Sequence, residues 1–282
     1  MAASGTELAV ATPPEARFAF GKNWAEFLAH VGERQVAAAT ESLRQKLGDL
    51  TGKTFLDIGS GSGLHSLAAL RLGASRVHSF DYDSDSVATT AEMRRRFAPQ
   101  AAWTIERGSA LDIGYLRSLG TFDVVYSWGV LHHTGDMWTA LGNAIIPLAP
   151  NGTLFISIYN DQSYISRRWK RLKAFHNKSG RAGKLLAEIA TLLITWGKTI
   201  PVDIVTGKPF RKLEIWKQYA RERGMSPWHD VVDWAGGYPF EVAKPEEIFH
   251  FYKNLGLTLE GLKTCGGGKG CNEFLFRRMA VR

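Results

Sequence analysis

Short apolar runs alternate with helix-period segments along most of the chain. Residues 54–58 form a strand-type run, and 64–72 repeat their apolar positions at helical spacing until Gly73 stops them. Residues 76–80 read as a second strand ending at Asp81. A helix over 86–97 follows, with Asp83 and Asp85 in its N-cap region, and then a third strand over 102–107. A fourth strand covers 122–127, a turn covers 148–152, and a fifth strand covers 153–159. Residues 244–247 cap a helix running to Asn254, and 258–264 and 272–278 complete the pattern as sixth and seventh strands. Strands separated by helical spacers predict an α/β domain on a mostly parallel sheet.

The richest chemistry lies between the first strand and its helix, in Asp57-Ile-Gly59-Ser60-Gly61-Ser-Gly63. Glycines in such a turn let a nucleotide-like cofactor approach bare backbone at a helix N-terminus. Their spacing separates two cofactor classes. A dinucleotide site needs Gly-x-Gly-x-x-Gly or Ala, whereas here the last position is Leu64 and the third glycine falls one residue early. Asp57 is unfavourable beside a pyrophosphate but suits a ligand carrying an ammonium group.

This turn resembles motif I of the class I S-adenosylmethionine (SAM)-dependent methyltransferases. The likeness extends to a bacterial group sharing Phe-Gly-Lys-Asn-Trp at 20–24, Gly-Gly-Tyr-Pro-Phe-Glu at 236–241 and Gly-Cys-Asn-Glu-Phe at 270–274. The resemblance implies a Rossmann-like seven-stranded, mostly parallel sheet with helices on both faces, its last strand antiparallel, and a helical insertion between strands 5 and 6. It also implies SAM as cofactor, lying over Gly59, Ser60, Gly61 and Gly63. The ribose would sit on Asp81 and the adenine along Tyr82 and the turn of Ser109, Ala110 and Leu111. Many members carry Asp where this chain has Ser109, and Asp112 is the alternative acceptor. Asp57 would orient the amino-acid end of SAM, while Ser127 and Trp128 would complete the pocket where the methyl group is transferred.

Leu131-His132-His133 resembles the small-molecule branch of the family, including ubiquinone- and menaquinone-pathway enzymes. His132 and His133 are candidate catalytic bases, since neutral imidazole accepts a proton near pH 7. The competing reading has one histidine capping a helix and the other packing. Tyr159 follows the fifth strand and is a candidate substrate contact. Trp228, His229 and Tyr238 lie in a stretch that sets aromatic rings beside carboxylates, as sites for sugars or planar polar molecules do. The competing reading there is a folded loop covering the core. The Asn- or Asp-Pro-Pro-Tyr motif of nucleic-acid amino methylation is missing after the fourth strand.

Composition places these features in one domain. With 282 residues and 45% hydrophobic content, the chain divides into a leader at 1–16 and a methyltransferase domain at 17–282. That domain carries an aromatic-rich helical lid at 17–50 and a substrate-side insertion at 161–240. The leader has neither a signal peptide's apolar core nor an anchor, so a cytoplasmic location is expected. Cys265 and Cys271 read as reduced thiols, and no ligand cluster has metal-site spacing, so no metal is expected.

The net charge of +8 is concentrated: residues 161–224 hold 15 basic and 5 acidic residues, leaving the remainder near neutral. Residues 166–173 fit a basic amphipathic helix. Residues 185–205 are apolar but too interrupted to span a membrane; they form either a packed helix pair, the favoured reading, or a helix seated at a lipid surface. The charge suits an acidic, glycan- or lipid-linked small-molecule acceptor, with RNA as the less favoured partner, and a merely solvated helical face accounts for it equally well. The expected reaction is in-line methyl transfer to a hydroxyl or amine. The alternatives are an RNA methyltransferase and a non-catalytic partner protein of the same fold.

Overall fold

The computed structural model describes residues 21–197, 203, 205 and 227–279. The leader, the first residues of the lid and the middle of the insertion lie outside them. The order of elements begins α1 (Gly21–Ala29), α2 (Glu33–Leu47), β1 (Thr54–Ile58), α3 (Leu64–Arg71), β2 (Arg76–Asp81), α4 (Ser84–Phe97) and β3 (Trp103–Arg107). It continues with α5 (Ile113–Ser118), β4 (Phe122–Trp128), a 3-10 turn (Leu131–His133), α6 (Met137–Asn143) and β5 (Leu148–Tyr159). Then come α7 (Tyr164–Lys178), α8 (Arg181–Trp196), α9 (Pro227–Gly236), α10 (Pro245–Asn254), β6 (Leu257–Lys263) and β7 (Cys271–Arg278).

The strands form one seven-stranded sheet in the order β3-β2-β1-β4-β5-β7-β6. The first five are parallel, and β7 runs antiparallel to both β5 and β6. Both faces are covered, which explains the unbroken apolar runs of the central strands. Along β1, Phe55 enters a core shared with α2, α3 and α4, while Leu56 and Ile58 enter a second core shared with α5, α6 and α10. The chain turns outward in opposite directions from β1 and β4, so a crevice opens at their C-terminal ends, where ligands bind in such sheets.

Two local expectations need correction. The 148–152 turn is part of β5: Leu148 pairs with Phe122, the register shifts, and Thr153 pairs with Val124. Asn151 absorbs the bulge at φ 58°. The stretch of aromatic rings and carboxylates, with a folded loop as its competing reading, is helical over Pro227–Gly236. In the insertion, α7 and α8 pack as a helix pair, and a His176 Nε2–Glu188 Oε1 contact of 3.0 Å joins them. Among the described residues, no helix is long and apolar enough to cross a membrane.

Candidate functional site

The glycine turn after β1 is held by its neighbours in the sheet. The N–H groups of Gly59 and Ser60 donate to the Phe80 carbonyl (2.8 and 3.2 Å), which brings the turn against the end of β2. Gly59, Gly61 and Gly63 all adopt positive φ, between 55° and 78°. At that edge, Asp81 Oδ2 accepts from Gly61 N–H and Oδ1 from Asp83 N–H, both at 3.0 Å. The carboxylate is therefore fixed in orientation, with lone pairs left for two further donors. Burial pushes its carboxyl up to about 6, against the lowering effect of those backbone donors.

Asp57 lies beneath the turn, buried, and accepts from Ser66 Oγ. Ser66 in turn contacts Ser79 Oγ at 2.7 Å, and Ser79 accepts from the Trp103 indole at 2.7 Å. Burial raises the Asp57 carboxyl to about 7, opposed by the Ser66 hydrogen bond and reinforced by Asp81. Ser60 is tied to Thr90 of α4 by a 3.0 Å hydroxyl contact. Tyr82 projects outward beside β3, with the Arg107 guanidinium 5.5 Å from its ring.

The Ser109–Leu111 turn abuts Asp81 through a Gly108 N–H to Asp81 carbonyl bond of 3.0 Å. Ser109 Oγ accepts from Leu111 N–H, and Asn143 holds the Ala110 carbonyl. Asp112, the alternative adenine acceptor, caps α5 by accepting from Tyr115 N–H at 2.9 Å. Ser127 differs from expectation: it is fully buried, and its hydroxyl donates to the Ile58 carbonyl, tying β4 to β1. Trp128 is half-exposed, and its indole N–H donates to Glu273 Oε1 (2.9 Å), which also receives the Lys46 ammonium (3.0 Å). Burial works to raise the Glu273 carboxyl, but those two donors hold it below its ordinary range.

The α1 helix lies over this crevice. Gly21 N–H donates to Asp83 Oδ2 (2.9 Å), while Asp83 Oδ1 caps α4 through Asp85 N–H. A side chain at Gly21 would strike Asp85, its Cβ falling 2.4 Å from that of the aspartate. Trp24 stands directly over Gly61, where a Cβ would come within 2.9 Å of the indole nitrogen.

A second cluster gathers at the ends of β4 and β5. His132, His133 and Tyr159 pack together, with ring centroids 4.5 Å apart for the two histidines and 4.0 Å for His132–Tyr159. Tyr159 N–H donates to His132 Nδ1 (3.4 Å), which puts the His132 proton on Nε2. His133 has the opposite tautomer: its Nδ1 lies 2.6 Å from the Pro239 carbonyl and must donate, leaving Nε2 as the acceptor. Burial holds both imidazoles neutral. His133 is pushed down to about 3 against the Pro239 bond, with Lys173 adding to the fall, and His132 falls well below its ordinary value, aided by His133 and Lys173.

Around Tyr159 stand Trp234 (5.3 Å) and Phe240 (5.4 Å), with Trp169 packed on Trp234 (5.5 Å). The fully buried Lys173 donates to the Trp234 carbonyl and lies over the rings of Trp234 and Phe240 (4.2 and 4.8 Å). Lys269, on the β6–β7 loop, covers Trp234 from 3.6 Å. The space left in this aromatic box is about 10 Å³, room for one water.

The 225–241 stretch thus supplies Trp234 and Phe240 to the cluster, in place of the expected Trp228 and Tyr238. No ring pair joins Trp228 or Tyr238 to the cluster among the described residues, and the His229 side chain lies outside them. Helical phasing explains the difference, because Val231, Trp234 and Ala235 share the inward face of α9. Read as a helix, the sequence would have pointed to Trp234. The other signature segments also find a role here. Glu241 N–H donates to the His132 carbonyl (3.0 Å), so Pro239–Glu241 backs the two histidines. Asn272 bonds Asn160 and Cys265, fixing the β6–β7 loop against the end of β5. Cys265 and Cys271 are both free thiols.

A family model described as a methyltransferase domain matches residues 28–190, more than half of the chain. The chain belongs to the SAM-dependent methyltransferases. SAM is the cofactor of that family, and the glycine turn with its oriented Asp81 fits it: a tight turn at a helix N-terminus and, beside it, a two-oxygen acceptor for a diol. Relatives include the tRNA U34 carboxymethyltransferase of Klebsiella pneumoniae, 31% identical over 118 residues, covering 41% of this chain and 34% of that protein. The ubiquinone biosynthesis O-methyltransferase of Brucella melitensis is 29% identical over 111 residues, covering 39% and 43%. The chain spans less than half the length of these curated relatives. The solved structure of PKMT2 from Rickettsia typhi, in complex with AdoHcy, shares the fold with a TM-score of 0.55 at 14% identity, covering 83% of this chain and 50% of that one.

Proposed function

We propose that this methyltransferase modifies an oxygen, or less favourably a nitrogen, of a small-molecule acceptor held on the β4–β5 side of the crevice. The observation that carries the reading is the packing of the buried His132 with the part-buried His133 and Tyr159 at the ends of β4, which borders β1, and of β5 beyond it. SAM supplies a methyl group already activated on a sulfonium. The protein's part is to position, exclude water and accept a proton. Gly59 to Gly63 and Asp81 hold the cofactor, Asp57 steadies the turn from beneath, and α1 with Trp24 closes over it. His133 Nε2 is the proton acceptor, oriented by the Pro239 carbonyl. An imidazole held near 3 is too weak a base for an aliphatic alcohol, so the reading favours an acceptor whose hydroxyl is itself acidic.

His133→Gln is expected to lower kcat by roughly 100-fold while leaving S-adenosylhomocysteine affinity unchanged. Acceptor screening by S-adenosylhomocysteine release, with calorimetric titration of both proteins, checks this. An unchanged kcat would remove His133 from the mechanism.

A second reading concerns where the acceptor is presented. Helix α8 leaves Leu185, Leu186, Ile189 and Leu193 exposed, next to the basic helix α7. An apolar stripe flanked by cations suits association with an anionic membrane surface. Co-sedimentation with vesicles containing phosphatidylserine, lost on Leu186→Glu with Leu193→Glu, is the expected result; no pelleting of the parent protein would dismiss it.

A further inference from the structure

Beside the aromatic box lies a larger cavity of about 280 Å³, bounded by the start of α6, by α7 and by residues 240–242. We infer that it seats the far end of the acceptor and selects a planar molecule bearing an anionic group, gripped by Arg167 and Lys170. The inference rests on the acceptor-side reading above and names the class of acceptor. Its volume suits a substituted aromatic ring.

Two aromatic residues line it, the half-exposed Trp138 and the buried Phe240. Phe240 is also a wall of the aromatic box and packs on Tyr159, so the cavity and the histidine cluster share a partition. A ring held between Trp138 and Phe240 therefore lies one side chain away from Tyr159, with its substituents directed either to the cluster or to the mouth.

The charges at the mouth are unequal in their commitments. Asp161 Oδ1 accepts from Ser163 N–H (2.8 Å), and Glu241 Oε2 accepts from Met137 N–H (3.0 Å), so each carboxylate is already engaged in shaping the backbone. Burial raises the Glu241 carboxyl, opposed by the Met137 N–H and by the charge of Lys170 nearby. Arg167 and Lys170 are exposed, lie three residues apart on one face of α7, and make no side-chain hydrogen bond or ion pair among the described residues. One turn further on, α7 places Lys173 behind Phe240. The lining thus carries two carboxylates and two cations. Of these, the carboxylates are bonded to backbone, while the two cations keep their hydrogen-bond donors open among the described residues; an anion with a flat body meets those donors and the walls.

The test uses three probes with one ring and three charges: benzoate, benzamide and benzylamine. Each is titrated at fixed low ionic strength into the full-length protein saturated with S-adenosylhomocysteine, and binding is followed by ligand-observed saturation transfer. Benzoate is expected to bind at least roughly tenfold more tightly than either other probe, and Arg167→Gln with Lys170→Gln to erase that preference. Both positions are exposed on α7, and a circular dichroism melt verifies that the double variant is folded. Equal binding of benzamide or benzylamine, no benzoate binding, or a preference that survives the double substitution would each overturn the inference. S-adenosylhomocysteine affinity separates the two readings. Its absence in the parent protein removes the methyltransferase reading, whereas normal affinity with no anion preference removes only this one.

Discussion

Asp81→Ala is expected to weaken SAM binding by two orders of magnitude or more, with the fold intact, because two charge-assisted hydrogen bonds to a ribose diol are lost at once. Asp81→Asn is expected to fare little better. Both carboxylate oxygens already accept backbone N–H groups, from Gly61 and Asp83, so an amide must turn its NH₂ toward one of these donors. The same geometry sets a pH limit. Burial raises the Asp81 carboxyl to about 6, and the protonated form cannot accept from both hydroxyls. SAM affinity should fall by roughly tenfold for each pH unit below about 6. Asp57, raised to about 7 by burial and in part by Asp81, has already taken up its proton there, so Asp57→Asn should leave the fall near pH 6. Calorimetric titrations at pH 5, 6 and 7.5 check the series; a Kd that is flat across it would mean that neither carboxyl bears on the cofactor.

The cofactor side of the molecule was legible in the sequence because its requirements are local. A buried parallel strand must be continuously apolar, a turn with positive φ at three positions must carry glycine, and the next strand's carboxylate falls at a fixed distance along the chain. Gly59, Gly61, Gly63 and Asp81 meet at the crevice for these reasons. The acceptor side depends on partners far apart in sequence. Trp128 finds Glu273 145 positions away, and His133 finds Pro239 106 positions away. No periodicity announces such pairs. Lys173 misleads in a different way: in a basic amphipathic helix it reads as a solvated cation, yet it is fully buried against Trp234 and Phe240. Ser127 is the reverse, a polar residue at a promising strand end whose hydroxyl is used up on the Ile58 carbonyl.

Acidification from pH 6.5 to 4 is expected to destabilise the ligand-free protein by on the order of a few kcal/mol, lowering Tm by about 5–10 °C. The unfolded histidines titrate near 6.5. In the folded chain, burial pushes His65 down to about 4 and His133 to about 3, with His132 also well below its ordinary value. Between those values the unfolded state binds more protons, so stability is full above pH 6.5 and lost as pH falls toward 3. Asp57 and Asp81 act in the opposite sense. Their raised carboxyls bind protons in the folded state that the unfolded state releases, which stabilises the fold as pH falls from about 7 toward 3.8. Burial likewise lowers His78 and raises Glu241, so four imidazoles oppose three carboxyls and the net sign is destabilising. His133→Gln retains a donor for the Pro239 carbonyl and removes one titrating group, and it should flatten the acid limb of Tm measured by calorimetry at pH 4, 5, 6.5 and 8. A Tm that stays level or rises on acidification would show that the histidine cluster admits protons, and hence water, in the folded state. With saturating SAM the acid loss should be steeper, because the ligand's contribution falls away as Asp81 takes up its proton.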